Sequence, residues 1–281
     1  MSQKSYRDEK SKLYLVPTPL GNLDDITIRS INVLKMVDVV FCEDTRVTKE
    51  LLNHFQITKK LVSCHEYNEI NMTEEAKKYL VEGKNIALVT DQGTPIISDP
   101  GYKVVSYLVN EGYDVVSLPG PTAFVPALTT SGLPPQPFLF YGFLNSKNNL
   151  REKELKNLQN ISYTMIFYEA PHRIQNMLQS LLKIFGNRKI SIAREISKIY
   201  EEIYHGTIEE VQEEIKNGIK GEIVVIVEGN SETDFSNLTI EEHVKLYLED
   251  GLSSKEAIKK VAIERNVPKS IVYNEYHKIR K

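Results

Sequence analysis

The chain has 281 residues, with 35 Lys and Arg against 38 Asp and Glu, a net charge of −3 and 41% hydrophobic residues. That length suits one large or two medium domains with a sizeable core. The charge balance announces no global nucleic-acid binder, the two cysteines Cys42 and Cys64 make neither a disulfide framework nor a zinc cluster and fit a reducing cytoplasm, and no apolar run is long enough to span a membrane.

Met1 to Lys12 is polar and charged without an apolar stretch, and reads as a disordered tail rather than a signal peptide. From there strand, loop and helix repeat. Leu13–Val16 is a short strand broken by Pro17–Asn22, and Thr27–Met36 has helical spacing of Ile28, Ile31 and Leu34. Val37–Cys42 is a strand ending in Glu43–Arg46, followed by a helix over Thr48–Phe55. Leu61–Cys64 is a strand ending in His65–Glu69, and a helix over Thr73–Glu82 leads to the strand Ile86–Val89. The loop Asp91–Gly101 holds two glycines, two prolines and two aspartates, a composition that presents backbone amides stiffly to a ligand. Tyr102–Glu111 is helical, and the strand Val115–Leu118 meets Pro119–Ala123. This alternation predicts a mostly parallel sheet with crossover helices, whose carboxyl edge gathers all five loops.

Pro134–Pro137 reads as an interdomain linker, and ten of the twelve prolines lie at or before Pro137, so the stiffened edges belong to the first half. Beyond it, strands at Phe138–Leu144, Tyr163–Tyr168, Lys189–Arg194, Glu201–Tyr204 and Glu222–Val227 alternate with helices near Arg151–Gln159, Arg173–Phe185 and Ile208–Lys216. That strand-heavy pattern suggests an α+β second domain with antiparallel pairs. Asn230–Asn237 reads as another linker. A capping box at Ser253–Glu256 and a helix start at Pro268 mark a closing unit of two short helices. From Ser253 to Lys281 eight Lys and Arg stand against three Glu, a local net of 8 − 3 = +5, so the unit reads either as a helix-turn-helix-like basic module or as a solvated helical cap. The expected division is a tail over 1–12, an α/β domain over 13–134, a second over 138–229 and a helical unit over 238–281.

No single loop identifies a chemistry. Pro19-Leu20-Gly21 lacks dinucleotide spacing, and no phosphate-binding Walker motif occurs. His65 at a strand end reads as a structural histidine or as a base, and Glu43 and Asp44 as a helix-capping pair neutralised by Arg46. The lack of a nucleophile triad or metal cluster favours a reaction whose reactive group comes from a cofactor.

Taken together, Leu15–Leu23, Glu43–Arg46, Asp91–Gly101, Leu118–Ala123, Tyr168–Arg173, Arg194-Glu195 and Lys220–Glu222 resemble, in order, the ribosomal RNA small subunit methyltransferase I family of the tetrapyrrole methylase fold. One departure from the wider fold is Pro-Thr-Pro-Leu-Gly in the first loop, where tetrapyrrole enzymes carry a glycine-rich version. The resemblance implies two α/β domains with a cofactor cleft between them and a small helical extension. It implies S-adenosyl-L-methionine as cofactor, methylation of a cytidine ribose 2′-hydroxyl in small-subunit ribosomal RNA, and a homodimer. It places Leu20, Gly93, Thr94, Ile97, Thr122, Ala123, Tyr168, Ala193 and Gly221 at the cofactor. Asp44, His65, Glu66 and Glu69 are the candidate bases, and Arg46 and Arg173 the candidate phosphate contacts. A tetrapyrrole or other small-molecule methyltransferase, and a non-enzymatic RNA-binding protein, are the competing readings.

Overall fold

The computed structural model describes residues 3, 10–65, 68–230, 238–265 and 267–278. Most of the tail expected over 1–12 and the linker over 231–237 therefore lie outside the described residues. Two compact units organise the chain, one within Met1–Gln159 and Tyr163–Glu228, the other within Asn160–Ser162 and Gly229–Lys281.

The first unit opens with β1 (Lys12–Leu15), α1 (Ile28–Met36), β2 (Val39–Cys42), α2 (Thr45–His54), β3 (Lys60–Ser63), α3 (Glu69–Val81), β4 (Ile86–Val89), α4 (Tyr102–Asn110) and β5 (Asp114–Ser117). The five strands pair in parallel in the order β3-β2-β4-β1-β5. Strand β4 is central and buried at all four positions, which is why its sequence is continuously apolar. One face of the sheet packs Val33, Leu34 and Leu52 from α1 and α2. The other packs Ala76, Leu80, Val104 and Leu108 from α3 and α4.

Next come α5 (Phe124–Thr130), β6 (Phe138–Phe143), α6 (Asn148–Leu158), β7 (Thr164–Glu169), α7 (Ile174–Phe185), β8 (Lys189–Arg194), β9 (Glu202–Thr207), α8 (Ile208–Glu214) and β10 (Ile223–Val227). The second sheet runs β6-β7-β10-β8-β9, with one parallel pair, β6 with β7, and three antiparallel pairs. Helix α5, unforeseen in the sequence, lays Ala127 and Leu128 against Ile166, Ala193, Val224 and Ile226 of this sheet.

The second unit holds three helices among its described residues rather than the two expected: α9 (Ile240–Glu249), α10 (Ser254–Glu264) and α11 (Lys269–Lys278). Val244, Tyr247, Ile258, Val261, Val272 and Tyr276 form its own core. Capping boxes at Thr239/Glu242 and Ser253/Glu256 start the first two. His243 is fully buried there. Arg265 Nε donates to His243 Nδ1 at 3.0 Å, so the ring proton sits on Nε2, 3.1 Å from Glu264 Oε2.

Candidate functional site

The parallel order of the first sheet puts the loops after β1, β2, β4 and β5 side by side at its carboxyl edge. They are fastened to one another. Thr18 and Gly93 exchange two backbone hydrogen bonds, of 2.9 and 3.0 Å. Thr94 Oγ1 donates to Pro121 O at 2.8 Å and lies 2.6 Å from Thr122 Oγ1. The loop after β4 is wound tightly, with positive φ at Gly93 (81°), Ile96 (78°), Ser98 (68°) and Gly101 (121°). For β-branched Ile96 this is a true outlier, of the kind that persists only where the surroundings enforce it. Part of that enforcement comes from Glu69, whose buried Oε1 accepts the Gly101 and Lys103 N–H groups, each at 2.8 Å.

These loops form one wall of a cavity of about 500 Å³, within the usual range of roughly 300–1,000 Å³ for small-molecule sites. The second sheet forms the facing wall. Tyr168, Val224 and Ala193 are a single cross-strand row on β7, β10 and β8, and all three line the space. Tyr168 packs edge-on to Phe140 and Phe143, at 5.1 and 5.7 Å between ring centres. Burial pushes its hydroxyl up to about 12, so it stays a proton-bearing donor.

The polar lining is acidic. Glu43, Asp91 and Asp99 share the cavity with Thr90, whose hydroxyl donates to Glu43 Oε2 at 3.2 Å. Asp91 Oδ1 accepts Asp44 N–H at 3.1 Å. Burial first, and the neighbouring carboxylates after it, raise all three, Asp99 to about 6. Glu169, also in the wall, accepts Ala170 N–H at 2.8 Å and pairs with Arg173 Nε at 3.0 Å through Oε1. Its buried Oε2 has no hydrogen-bond partner among the described residues.

Eight of the nine residues carried by the resemblance to a cofactor site line this cavity: Leu20, Gly93, Thr94, Ile97, Thr122, Ala123, Tyr168 and Ala193. Gly221 does not; it precedes the lining residue Glu222 and lies against the Glu195 side chain. None of the described candidate bases lines it. Asp44 is the N-cap of α2, receiving the Arg46 N–H and, in a bidentate pair, its guanidinium, which holds its carboxyl down at about 2. His65 follows the edge strand β3, which pairs with β2 but whose own loop does not line the cavity, and its backbone N–H donates to Asn68 Oδ1. Glu69 is spent on the α4 N-terminus, and Glu66 lies outside the described residues. Arg46 is exposed, whereas Arg173 is half-buried between Glu169 and the Leu144 carbonyl, 2.6 Å from its Nη2. The wall residues Glu43, Thr90, Asp99 and Glu222 were missed as site residues. The two aspartates of the Asp91–Gly101 loop were the available signal.

The family profile described as tetrapyrrole (corrin/porphyrin) methylases matches residues 12–212. Among solved structures, the methyltransferase CobJ superposes with a TM-score of 0.60 at 18% identity, covering 79% of this chain and 95% of that one. A uroporphyrin-III C-methyl transferase from Thermus thermophilus complexed with S-adenyl homocysteine gives 0.58 at 19% identity, covering 78% and 97%. At these identities the likeness speaks for the fold. Relatives named ribosomal RNA small subunit methyltransferase I are much nearer in sequence. That of Halalkalibacterium halodurans is 48% identical, over 98% of this chain and 99% of its own. That of Bacillus subtilis is 48% identical over 94% of each. The fold, the cavity between the two sheets and this near-complete similarity together establish that the chain belongs to the ribosomal RNA small subunit methyltransferase I family of the tetrapyrrole methylases.

Proposed function

We propose that the chain is an S-adenosyl-L-methionine-dependent methyltransferase acting on the 2′-hydroxyl of a cytidine ribose in small-subunit ribosomal RNA, as a homodimer in the cytoplasm. The observation that carries the reading is the cavity itself, in which both walls combine apolar residues, Leu20, Ile97, Ala123, Tyr168 and Ala193, with carboxylates, Glu43, Asp91, Asp99 and Glu169. The names of the near relatives support the RNA substrate.

The residues fit this cofactor. It carries a sulfonium and an ammonium, and the wall offers carboxylates, among them the Oε2 of Glu169, which has no partner among the described residues. Its flat base needs an apolar slot, and backbone must approach closely somewhere. A Cβ at Gly93 would stand 3.1 Å from Leu20 Cδ2, so a side chain there would crowd that wall. The eight lining residues of the resemblance would hold it, with Gly221 next in the chain to the lining residue Glu222. When bound, it supplies a methyl group already activated for transfer.

The protein's task is then alignment and proton handling. The fastened loops keep the wall rigid, and fixing two reactants in line is worth roughly 7–11 kcal/mol of barrier. Phe143 and Tyr168 give the cavity an aromatic wall, with Phe140 packed against Tyr168. Arg46, whose exposed guanidinium can exchange its surface pair with Asp44 for a phosphate, is the better placed of the two arginines, because Arg173 is half-buried against the buried Glu169. The basic stretch from Ser253 onward adds phosphate contacts.

The test is calorimetric titration with S-adenosyl-L-methionine, then transfer of a labelled methyl group to small ribosomal subunits. Binding is expected, with label on one cytidine whose 3′ linkage resists alkali. A chain ending at Asn230 is expected to keep cofactor affinity and lose RNA affinity. Label appearing only on a tetrapyrrole would favour the small-molecule reading, and no cofactor binding would favour an RNA-binding protein. Light scattering at the single-chain mass of 32.2 kDa would remove the dimer.

A further inference from the structure

From Val115 to Ser146 the chain carries no Asp, Glu, Lys, Arg or His, although 26% of the whole sequence is charged. A solvated face of that length would carry charge. The stretch is not buried either. Eleven of its residues from Phe124 to Phe143 are exposed, among them Phe138 at 43%, Val125 at 48% and Phe143 at 53%. The rings form one ladder. Phe124 lies between Phe138 and Phe140, at 6.2 and 4.7 Å, and Tyr168 lies between Phe140 and Phe143, at 5.1 and 5.7 Å. The ladder follows β6, an edge strand that pairs with β7 alone among the described strands. Edge strands are ordinarily guarded by charge. This one has only the prolines ahead of it and a bulge at Tyr141.

We infer that a second copy of this chain covers this face, seating its own α5 and β6 on the same residues about a two-fold axis. The inference rests on the homodimer reading above and gives it a surface. RNA is the wrong occupant, because phosphates call for Lys and Arg and the face has neither. A strongly charged protein would find no complementary charge either. An uncharged apolar face is complementary to itself, which is what a two-fold interface requires. A two-fold also brings two β6 edges together antiparallel. The size suits as well. Sixteen residues from Phe124 to Phe143 are exposed or half-buried, most of the roughly 20–30 a side in a standard interface, whose core is likewise poor in charge and rich in aromatic rings. The cofactor cavity is tied to this face. Phe143 lines the cavity and is still half exposed, so the wall stands open at that ring, and Ala123 lines it just ahead of Phe124. The partner copy closes the wall there. Cofactor binding and association therefore strengthen each other by the same factor.

Light scattering on the full chain is the first test, at a concentration where the natural protein runs at twice 32.2 kDa. Phe138→Lys brings an ammonium group into the face from each copy. It should run at the single-chain mass and bind S-adenosyl-L-methionine about tenfold more weakly. Ile199→Lys, at a 91% exposed apolar side chain on the turn after β8, should remain a dimer. F138K running as a dimer, or I199K as single chains, overturns the assignment of this face. If the natural protein itself runs as single chains, the homodimer reading falls and takes this face with it, while the methyltransferase reading keeps its own tests of binding and transfer. Hydrogen exchange on the natural protein decides the case in which F138K does not fold. On dilution from dimer to single chains, protection should be lost over Phe124–Phe143. Loss confined to other segments, or protection of Phe124–Phe143 that appears only when small ribosomal subunits are added, overturns the proposal.

Discussion

Asp99 carries a cost to the fold. Its carboxyl, ordinarily near 3.8, titrates near 6 when folded, so the folded chain binds more protons than the unfolded one between those values. The stability this confers is full below about 3.8 and is lost as pH rises through 6. D99N should therefore be more stable than the natural protein at pH 8, by on the order of 1–3 kcal/mol, and equal to it near pH 4; urea melts at the two pH values check this. The same residue marks what sequence could and could not say. Leu20, Gly93, Thr94, Ile97, Thr122 and Ala123 share one wall because parallel strands bring the loops at their carboxyl ends to one edge, whatever the strand order. Which of two adjacent acids faces the cavity does not follow. Successive side chains at a strand end point to opposite sides, so Glu43 turns into the wall while Asp44 turns to cap α2. A carboxylate's role was set by one residue of register, and composition is silent on that.

Elements with a strong pattern were legible and those with a short or mixed one were not. Strand β4 runs over Ile86–Val89 as its apolar run predicts. Helix α5 hid behind Pro126 and only seven residues. Helix α3 begins at Glu69, four residues ahead of the predicted start, because Asn68 and Glu69 serve tertiary partners rather than the helix pattern. That early start has a use. The first residue of α3 ties down the first turn of α4 and the end of the binding loop. Glu69→Ala leaves the Gly101 and Lys103 amides unpaired, which should cost about 1–3 kcal/mol. It should also weaken cofactor binding as the loop loosens, while Glu69→Gln, keeping one acceptor, should lose less of both. Thermal melts and calorimetry on the two variants separate these effects.

At the scale of the whole molecule, the first unit sets a wholly parallel sheet beside a mixed one, with the cavity built from loops of the first and strand ends of the second. The alternation of elements made the parallel sheet legible; the order of its strands was not, because right-handed crossovers permit several. That order has a consequence for motion. Strand β4 lies between β2 and β1, so its loop hangs from the middle of the sheet rather than from an edge. The Gly93 and Thr18 amides, each bonded to the other's carbonyl, can open to solvent only when the central strands part. Hydrogen exchange should therefore find two amides in a ligand-binding loop that exchange as slowly as the core of β4, while those of the edge strand β3 exchange sooner. A site whose loop is among the last parts to unfold opens by ligand-sized breathing of its walls, and keeps its shape through every partial unfolding that leaves the sheet centre intact.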